Sequence, residues 1–389
     1  MSERLVYLDH HSTTPVRPEV VEAMLPFWRG DFGNPNSVYA LGQRSRKAVE
    51  RARERVAALL GADDASEIVF TSGGSESNAL AISGAAWEAL DASRGKRRLL
   101  LSSRVEHDSV RLLLAQLRRR GFSADLAEVD RQGLVRASEV SALLGEETAV
   151  VSVMHANNEV GAIEPIAEIA KLCRGRGVLF HTDAVQSAGK VPIDVQAMGV
   201  DLLSISGHKL NAPKGIGALY VRKGARLSPL VLGHQEKNRR GGTENVAGII
   251  GLGLACELAA KELPRRAAQC RALRDKLESA VLRIPGSRLN GPPGRRLPGC
   301  SHFSFSGLDG HQLVVALDLK GICVSSGPAC SSGSPEPSHV LTAMGLPSDL
   351  ARGCLRVSTG WSSTEADVDA LLDVLPRAVE GLREVCAFA

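Results

Sequence analysis

Three short segments of this 389-residue chain carry side chains suited to chemistry. Thr71-Ser72-Gly73-Gly74-Ser75-Glu76-Ser77-Asn78 stands between a β-rich run and a helical one. Backbone N–H groups and hydroxyls, those of Gly74 and Ser75 among them, therefore gather at a helix N-terminus, which attracts phosphate. A plain capped turn would read the same in isolation. The segment is no P-loop, because no Gly-Lys-Ser/Thr follows, and Gly215-Ile216-Gly217 and Gly251-Leu252-Gly253 lack the third spaced glycine of a dinucleotide fingerprint. His181-Thr182-Asp183-Ala184-Val185-Gln186-Ser187 follows an apolar run, which puts Asp183 at the carboxyl end of a strand, where open α/β sheets bind ligands. A helix cap is the competing reading. Ser206-Gly207-His208-Lys209 also follows a strand, in a chain with 11 lysines against 36 arginines. Lysine in place of arginine at a strand end points to an amine that must lose its proton, although one loop lysine alone carries no such meaning. A phosphate cup, a carboxylate and a lysine at successive strand ends are what pyridoxal 5'-phosphate requires: an anion site, a partner for the ring nitrogen and a Schiff-base amine. Val105-Glu106-His107, after another strand, adds an imidazole able to stack on the ring or move protons.

The elements that must position these residues alternate along the chain. A basic amphipathic helix spans Gln43 to Leu60 and stops at Gly61; Glu67–Thr71 reads as a strand and Glu76 to Leu90 as a helix. Further strands are Leu99–Ser102, Ala149–Val153, Val178–His181 and Leu202–Ile205, near-continuous apolar runs of the kind buried on both faces of a mostly parallel sheet. After Thr243 an apolar helix to about Ala260 and a charged helix to about Ile284 are expected, with Pro264 between them. The Pro/Gly-rich run from Asn290 opens a second region with strand His302–Phe305, a helix near Gln312 to Lys320 and a closing helix from Thr364. The expectation is an α/β fold with a mostly parallel central sheet between helices, plus a smaller α+β C-terminal domain. The large domain takes 15–260, and 1–14 joins 261–389 in the small one.

Composition narrows the function classes. Apolar residues are 44% and charged residues 23%, as in folded soluble proteins. A net charge of +4, from 47 basic against 43 acidic residues, and only 4% aromatics argue against nucleic-acid binding. No run approaches the roughly 20 apolar residues of a membrane helix, and Met1 to Asp9 has no apolar signal core, so a cytoplasmic protein is expected. The eight cysteines form no C-x-x-C pair and no metal or disulfide framework. His10-His11 is a poor metal site, because adjacent residues on an extended chain point to opposite faces.

At this density of motifs the chain resembles a known family, the NifS-like cysteine desulfurases of iron–sulfur cluster assembly, in the class V aminotransferase group of fold-type I pyridoxal-phosphate enzymes. The resemblance runs nearly end to end: Leu8-Asp9-His10-His11-Ser12-Thr13-Thr14-Pro15, Phe32-Gly33-Asn34-Pro35-Asn36-Ser37, Met154-His155-Ala156-Asn157-Asn158-Glu159-Val160-Gly161, Pro213-Lys214-Gly215-Ile216-Gly217, Arg239-Arg240-Gly241-Gly242-Thr243-Glu244-Asn245 and Leu355-Arg356-Val357-Ser358. It implies that Lys209 bonds covalently to the cofactor, Asp183 pairs its ring nitrogen, Gln186 bonds its phenolic oxygen and His107 stacks on the ring. Gly74, Ser75, Ser206 and His208 would hold the phosphate, with Thr243 from the partner of a homodimer. Asn158, Arg356 and Asn34 would receive the substrate, L-cysteine, the guanidinium forked onto its carboxylate.

Cys330 lies in Ser325-Ser326-Gly327-Pro328-Ala329-Cys330-Ser331-Ser332-Gly333-Ser334-Pro335, a run with little to bury, so an exposed loop (about 323–338) with a reactive thiol is expected. The resemblance makes Cys330 the sulfur acceptor: L-cysteine becomes L-alanine, and the sulfur passes on to an acceptor or iron–sulfur scaffold protein. Gly233-His234-Gln235-Glu236-Lys237-Asn238 departs from the family's glycine-rich stretch, which puts the local backbone in question. Rival readings are selenocysteine lyase, or another class V lyase, and a catalytically idle assembly subunit.

Overall fold

The apolar runs become the inner strands of one large sheet. The computed structural model describes residues 5–327 and 337–387, the side chains of 385–387 aside. Its strands among the described residues are β1 (Val6–Tyr7), β2 (Ile68–Thr71), β3 (Leu99–Ser103), β4 (Ser123–Ala127), β5 (Thr148–Ser152), β6 (Leu179–Asp183), β7 (Leu202–Ser206), β8 (Gly217–Val221), β9 (Ser287–Asn290), β10 (Cys300–Phe305), β11 (Ile322–Cys323) and β12 (Cys354–Ser358). Seven of them form a sheet in the order β2-β8-β7-β6-β5-β3-β4, in which only β8 runs against its neighbours. The mostly parallel α/β sheet expected from the sequence is therefore present. Successive residues bury on opposite faces, as the pleat requires. Leu101, Val151, Phe180 and Leu203 enter one core with the helix Ala40–Leu60, while Leu100, Val150 and Leu202 enter another with the helix Gly74–Ala92. Each such fully buried side chain contributes about 1.5–3 kcal/mol.

A second, antiparallel sheet has the order β12-β10-β9. Phe303, Phe305, Leu355 and Val357 pack there with Leu371 and Leu375 of the closing helix Glu365–Ala387. The N-terminal segment is sewn to this region: β1 pairs with β11, and Ser358 donates its N–H to Leu8 O at 2.7 Å.

One expectation fails. Pro264 does not separate two helices; a single helix spans Val246–Val281 and contains it. The proline forfeits one backbone bond, but the helix is anchored on both sides, by Leu252 and Cys256 in the large core and by Leu273 and Leu277 in the small one. The departure at Gly233–Asn238 also has a structural form. Glu236, Lys237 and Asn238 adopt φ of 47°, 57° and 64°, the left-handed conformation that glycine takes without strain. Glu236 is pinned there by Arg53 at 2.7 and 2.9 Å and by the Phe70 N–H at 2.9 Å.

Candidate active site

All the inner strands that run in parallel end on one side of the sheet, and the chemistry-bearing residues lie at those ends. Beyond β2 the chain turns at Gly73 (φ 156°) into the helix Gly74–Ala92. A Cβ on Gly74 would stand 2.7 Å from Val185 Cγ2, so only glycine lets this turn pack against the segment after β6. Asp183 closes β6, Ser206 closes β7, and His208 and Lys209 follow in a short 3-10 turn. His107 caps the helix Asp108–Arg118 just beyond β3. With Asn158, Gln186 and Arg356 they line a cavity of about 210 Å³.

The polar contacts fix how each group is presented. Asp183 is buried; its Oδ1 accepts from Val185 N at 2.9 Å and its Oδ2 from Asn78 Nδ2 at 2.6 Å. Asn78 also donates to Ser109 Oγ at 2.9 Å, and Ser109 N donates to His107 Nδ1 at 3.1 Å. That bond makes Nδ1 an acceptor, so the proton of neutral His107 sits on Nε2. Lys209 Nζ donates to the carbonyls of His11 at 2.5 Å and Ser12 at 2.6 Å. Gln186 Nε2 donates to His11 O at 2.8 Å. His208 Nδ1 meets Thr13 Oγ1 at 3.2 Å, and burial, with Lys209 second, lowers this imidazole to about 4. Arg356 is only 1% exposed; Nη1 donates to Asn158 O at 3.0 Å, and Nη2 to Asp9 Oδ1 and Ser12 Oγ, each at 2.8 Å. Its Nε is buried with no partner among the described residues.

The sequence missed several members. Asn78 and Ser109 join Asp183 to His107, and His11, Ser12 and Asp9 gather the two cations. Each stood inside or beside a quoted motif, but only the fold brings them together. Asn34 and Thr243 are exposed and do not line the cavity. Cys330 lies outside the described residues. Among the described residues no cluster of His, Cys, Asp and Glu could hold a metal.

The donor set suits pyridoxal phosphate. One end of the cavity offers a helix N-terminus with Gly74, Ser75, Ser206 and His208, Asp183 is the one carboxylate in the lining among the described residues, and Lys209 supplies the amine.

The class-V aminotransferase family model matches residues 6–371. The cysteine desulfurase IscS of Dictyoglomus turgidum is 46% identical over 388 residues, 99% of this chain and 97% of that protein. The chain belongs to the class-V aminotransferase family, among its cysteine desulfurases. The cysteine desulfurase IscS of Methanosarcina thermophila is also 46% identical, over 98% of this chain and 94% of its own length. Among solved structures, a NifS-like protein superposes with a TM-score of 0.87 at 34% identity, covering 99% of this chain and 100% of its own. SspA in complex with cysteine superposes at 0.80 and 35% identity, covering 91% and 98%. The fold-type I architecture of these class-V enzymes is thus the fold of this chain. No helix among the described residues is long and apolar enough to cross a membrane.

Proposed function

We propose that the chain binds pyridoxal 5'-phosphate and takes sulfur from L-cysteine, releasing L-alanine and leaving a persulfide on Cys330 for transfer to a sulfur-acceptor or iron–sulfur scaffold protein. The observation that carries this reading is the convergence of Lys209, Asp183, His107, Gln186 and Arg356 on one cavity. Pyridoxal phosphate, when bound, supplies the electron sink that lets a substrate amino acid lose its α-proton.

The chain's own residues do the rest. Ser75, Ser206 and His208, with the backbone at Gly74, would hold the phosphate; Asp183, oriented by Asn78, would pair the ring nitrogen; Gln186 would bond the phenolic oxygen. His107, whose Nδ1 accepts from Ser109 N, would stack on the ring and leave Nε2 free to pass a proton. Lys209 would hold the cofactor through its amine and would take up the substrate's α-proton. Arg356 holds the substrate carboxylate, with Asn158 beside it. The Cys330 thiolate bonds to the substrate sulfur as the carbon–sulfur bond breaks, so one thiol and one cysteine give one alanine and one persulfide, with no external oxidant or reductant. The exposed positions of Thr243 and Asn34 outside the cavity fit a homodimer in which they reach the partner's site. Division into a cofactor domain over 15–260 and a smaller domain carrying the Cys330 loop, and a cytoplasmic location, belong to the same reading.

The test is alanine release from L-cysteine with a thiol reductant, for the parent and a Cys330→Ala variant. The parent makes alanine and sulfide, and the variant keeps the cofactor but does not turn over. Equal turnover by both would refute the role of Cys330.

A further inference from the structure

The mechanism leaves one amine beside the site without a role. Lys190 Nζ donates to Gln186 Oε1 at 2.9 Å, four residues along the same segment. The other end of that amide, Nε2, donates to His11 O at 2.8 Å. A glutamine amide has an accepting oxygen and a nitrogen with two hydrogens, and either end can turn toward a neighbour. Here the His11 carbonyl can only accept, so it takes the nitrogen end, and the lysine amine offers N–H to the oxygen end. Both contacts favour the same orientation. Gln186 is buried and lines the cofactor cavity, so the second hydrogen on Nε2 is the one left for that cavity.

We infer that Lys190 is a positioning residue, which fixes the donor end of Gln186 toward the phenolic oxygen of the cofactor. This rests on the reading that the cavity holds pyridoxal phosphate. A phenolic oxygen that carries negative charge is stabilised by N–H and repelled by an amide oxygen, so a flipped Gln186 would turn an attraction into a repulsion. Lys190 also lines a separate cavity of about 50 Å³ with His10, Arg266, Cys270 and Trp361, whose walls among the described residues include no carboxylate. The lysine therefore has no acidic partner there to draw it away from Gln186. Burial, with the charge of Lys209 second, lowers the Lys190 amine to about 7, and it offers an N–H to Oε1 whether or not it carries the extra proton.

The experiment compares the full-length parent, Lys190→Met, Gln186→Leu and the double variant. Each is stripped of cofactor and titrated with pyridoxal phosphate; the dissociation constant, the absorption band of the bound form and the thermal midpoint of the stripped protein are recorded. Lys190→Met should bind the cofactor about tenfold more weakly and shift the band, with no loss in the midpoint of the stripped protein. The double variant should bind no more weakly than Gln186→Leu alone, because the lysine acts through that residue. Parent-like affinity and band in Lys190→Met, or additive losses in the double variant, overturn the inference while leaving the proposed function standing. A parent protein that takes up no cofactor overturns both. Where Lys190→Met folds poorly, Gln186→Glu decides: it keeps an acceptor for Lys190 but shows the cavity only acceptors, so undiminished affinity would overturn the inference.

Discussion

Glu106 stands one residue before His107, and its titration makes a sharp test of the site's interior. The side chain is buried; Oε1 accepts from Ser103 Oγ at 2.5 Å and Met154 N at 3.0 Å, while Oε2 is buried without a partner among the described residues. Burial raises this carboxyl from 4.5 to about 8, against the pull of its two hydrogen bonds and with Asp183 adding to the rise. Folding thus protonates a group that the unfolded chain ionises throughout the window between those values. Because the folded value lies above the unfolded one, the group's stabilising share is whole below pH 4.5 and falls as pH rises, levelling off above about 8. From 4.5 to pH 7, at about 1.4 kcal/mol per pH unit, the loss is about 3 kcal/mol. Glu106→Gln keeps an oxygen acceptor for Ser103 and Met154 but cannot ionise. Urea denaturation of parent and variant between pH 5 and 8.5 should show near-equal stability at pH 5 and a variant more stable by about 3 kcal/mol at pH 7. A gap that does not change with pH, or a variant weaker at pH 8, would refute a neutral, buried Glu106.

Two other substitutions probe the site and its surroundings. Arg356→Lys replaces a fork that serves Asn158, Asp9 and Ser12 at once with a single ammonium; KM for L-cysteine should rise about tenfold or more while the cofactor absorption band is unchanged, as steady-state kinetics and a spectrum would show. Lys237→Gly removes a side chain from φ 57°, where an L-residue pays about 1–2 kcal/mol, partly offset by the flexibility of glycine in the unfolded chain; calorimetry should show a midpoint about 2 °C higher, and Lys237→Val a lower one.

The sequence made the inner sheet legible wherever burial on both faces forced a continuous apolar run, as at Leu99–Ser103 and Leu202–Ser206. It hid strands that lack that constraint. Ser123–Ala127 is an edge strand that alternates exposed and covered residues without strong β-formers, and Gly217–Val221 reads from sequence as a glycine motif. The two-residue pair of Val6–Tyr7 with Ile322–Cys323 exists only because tertiary packing brings distant segments into register. Pro264 misled for a related reason: packing at both ends of its helix outweighs one lost backbone bond. Site residues with distinctive chemistry, Lys209, Asp183 and His107, could be chosen from their place after apolar runs. Asn78 and Ser109 could not, because what they do depends on a neighbour far along the chain.

The same contrast explains how two sheets make one site. The cavity residues at strand ends come from the large sheet, but Arg356 comes from the middle of β12 in the small one, 147 residues after Lys209. The segment Asp9–Ser12 joins them. Its His11 carbonyl accepts from both Lys209 and Gln186, its Ser12 carbonyl accepts from Lys209, and its Asp9 and Ser12 side chains accept from Arg356. Its backbone is itself held by Ser358 through the His10 N–H and the Leu8 carbonyl. The amine and the guanidinium would repel if left facing one another across a cavity. The turn at Asp9–Ser12 gives each its own acceptors, the His11 and Ser12 carbonyls for the amine and the Asp9 carboxylate and Ser12 hydroxyl for the guanidinium. In the proposed reaction a single amino acid would meet Arg356 at its carboxylate and the cofactor at its amine, so the N-terminal segment, by holding both Arg356 and the Lys209 amine, sets substrate geometry.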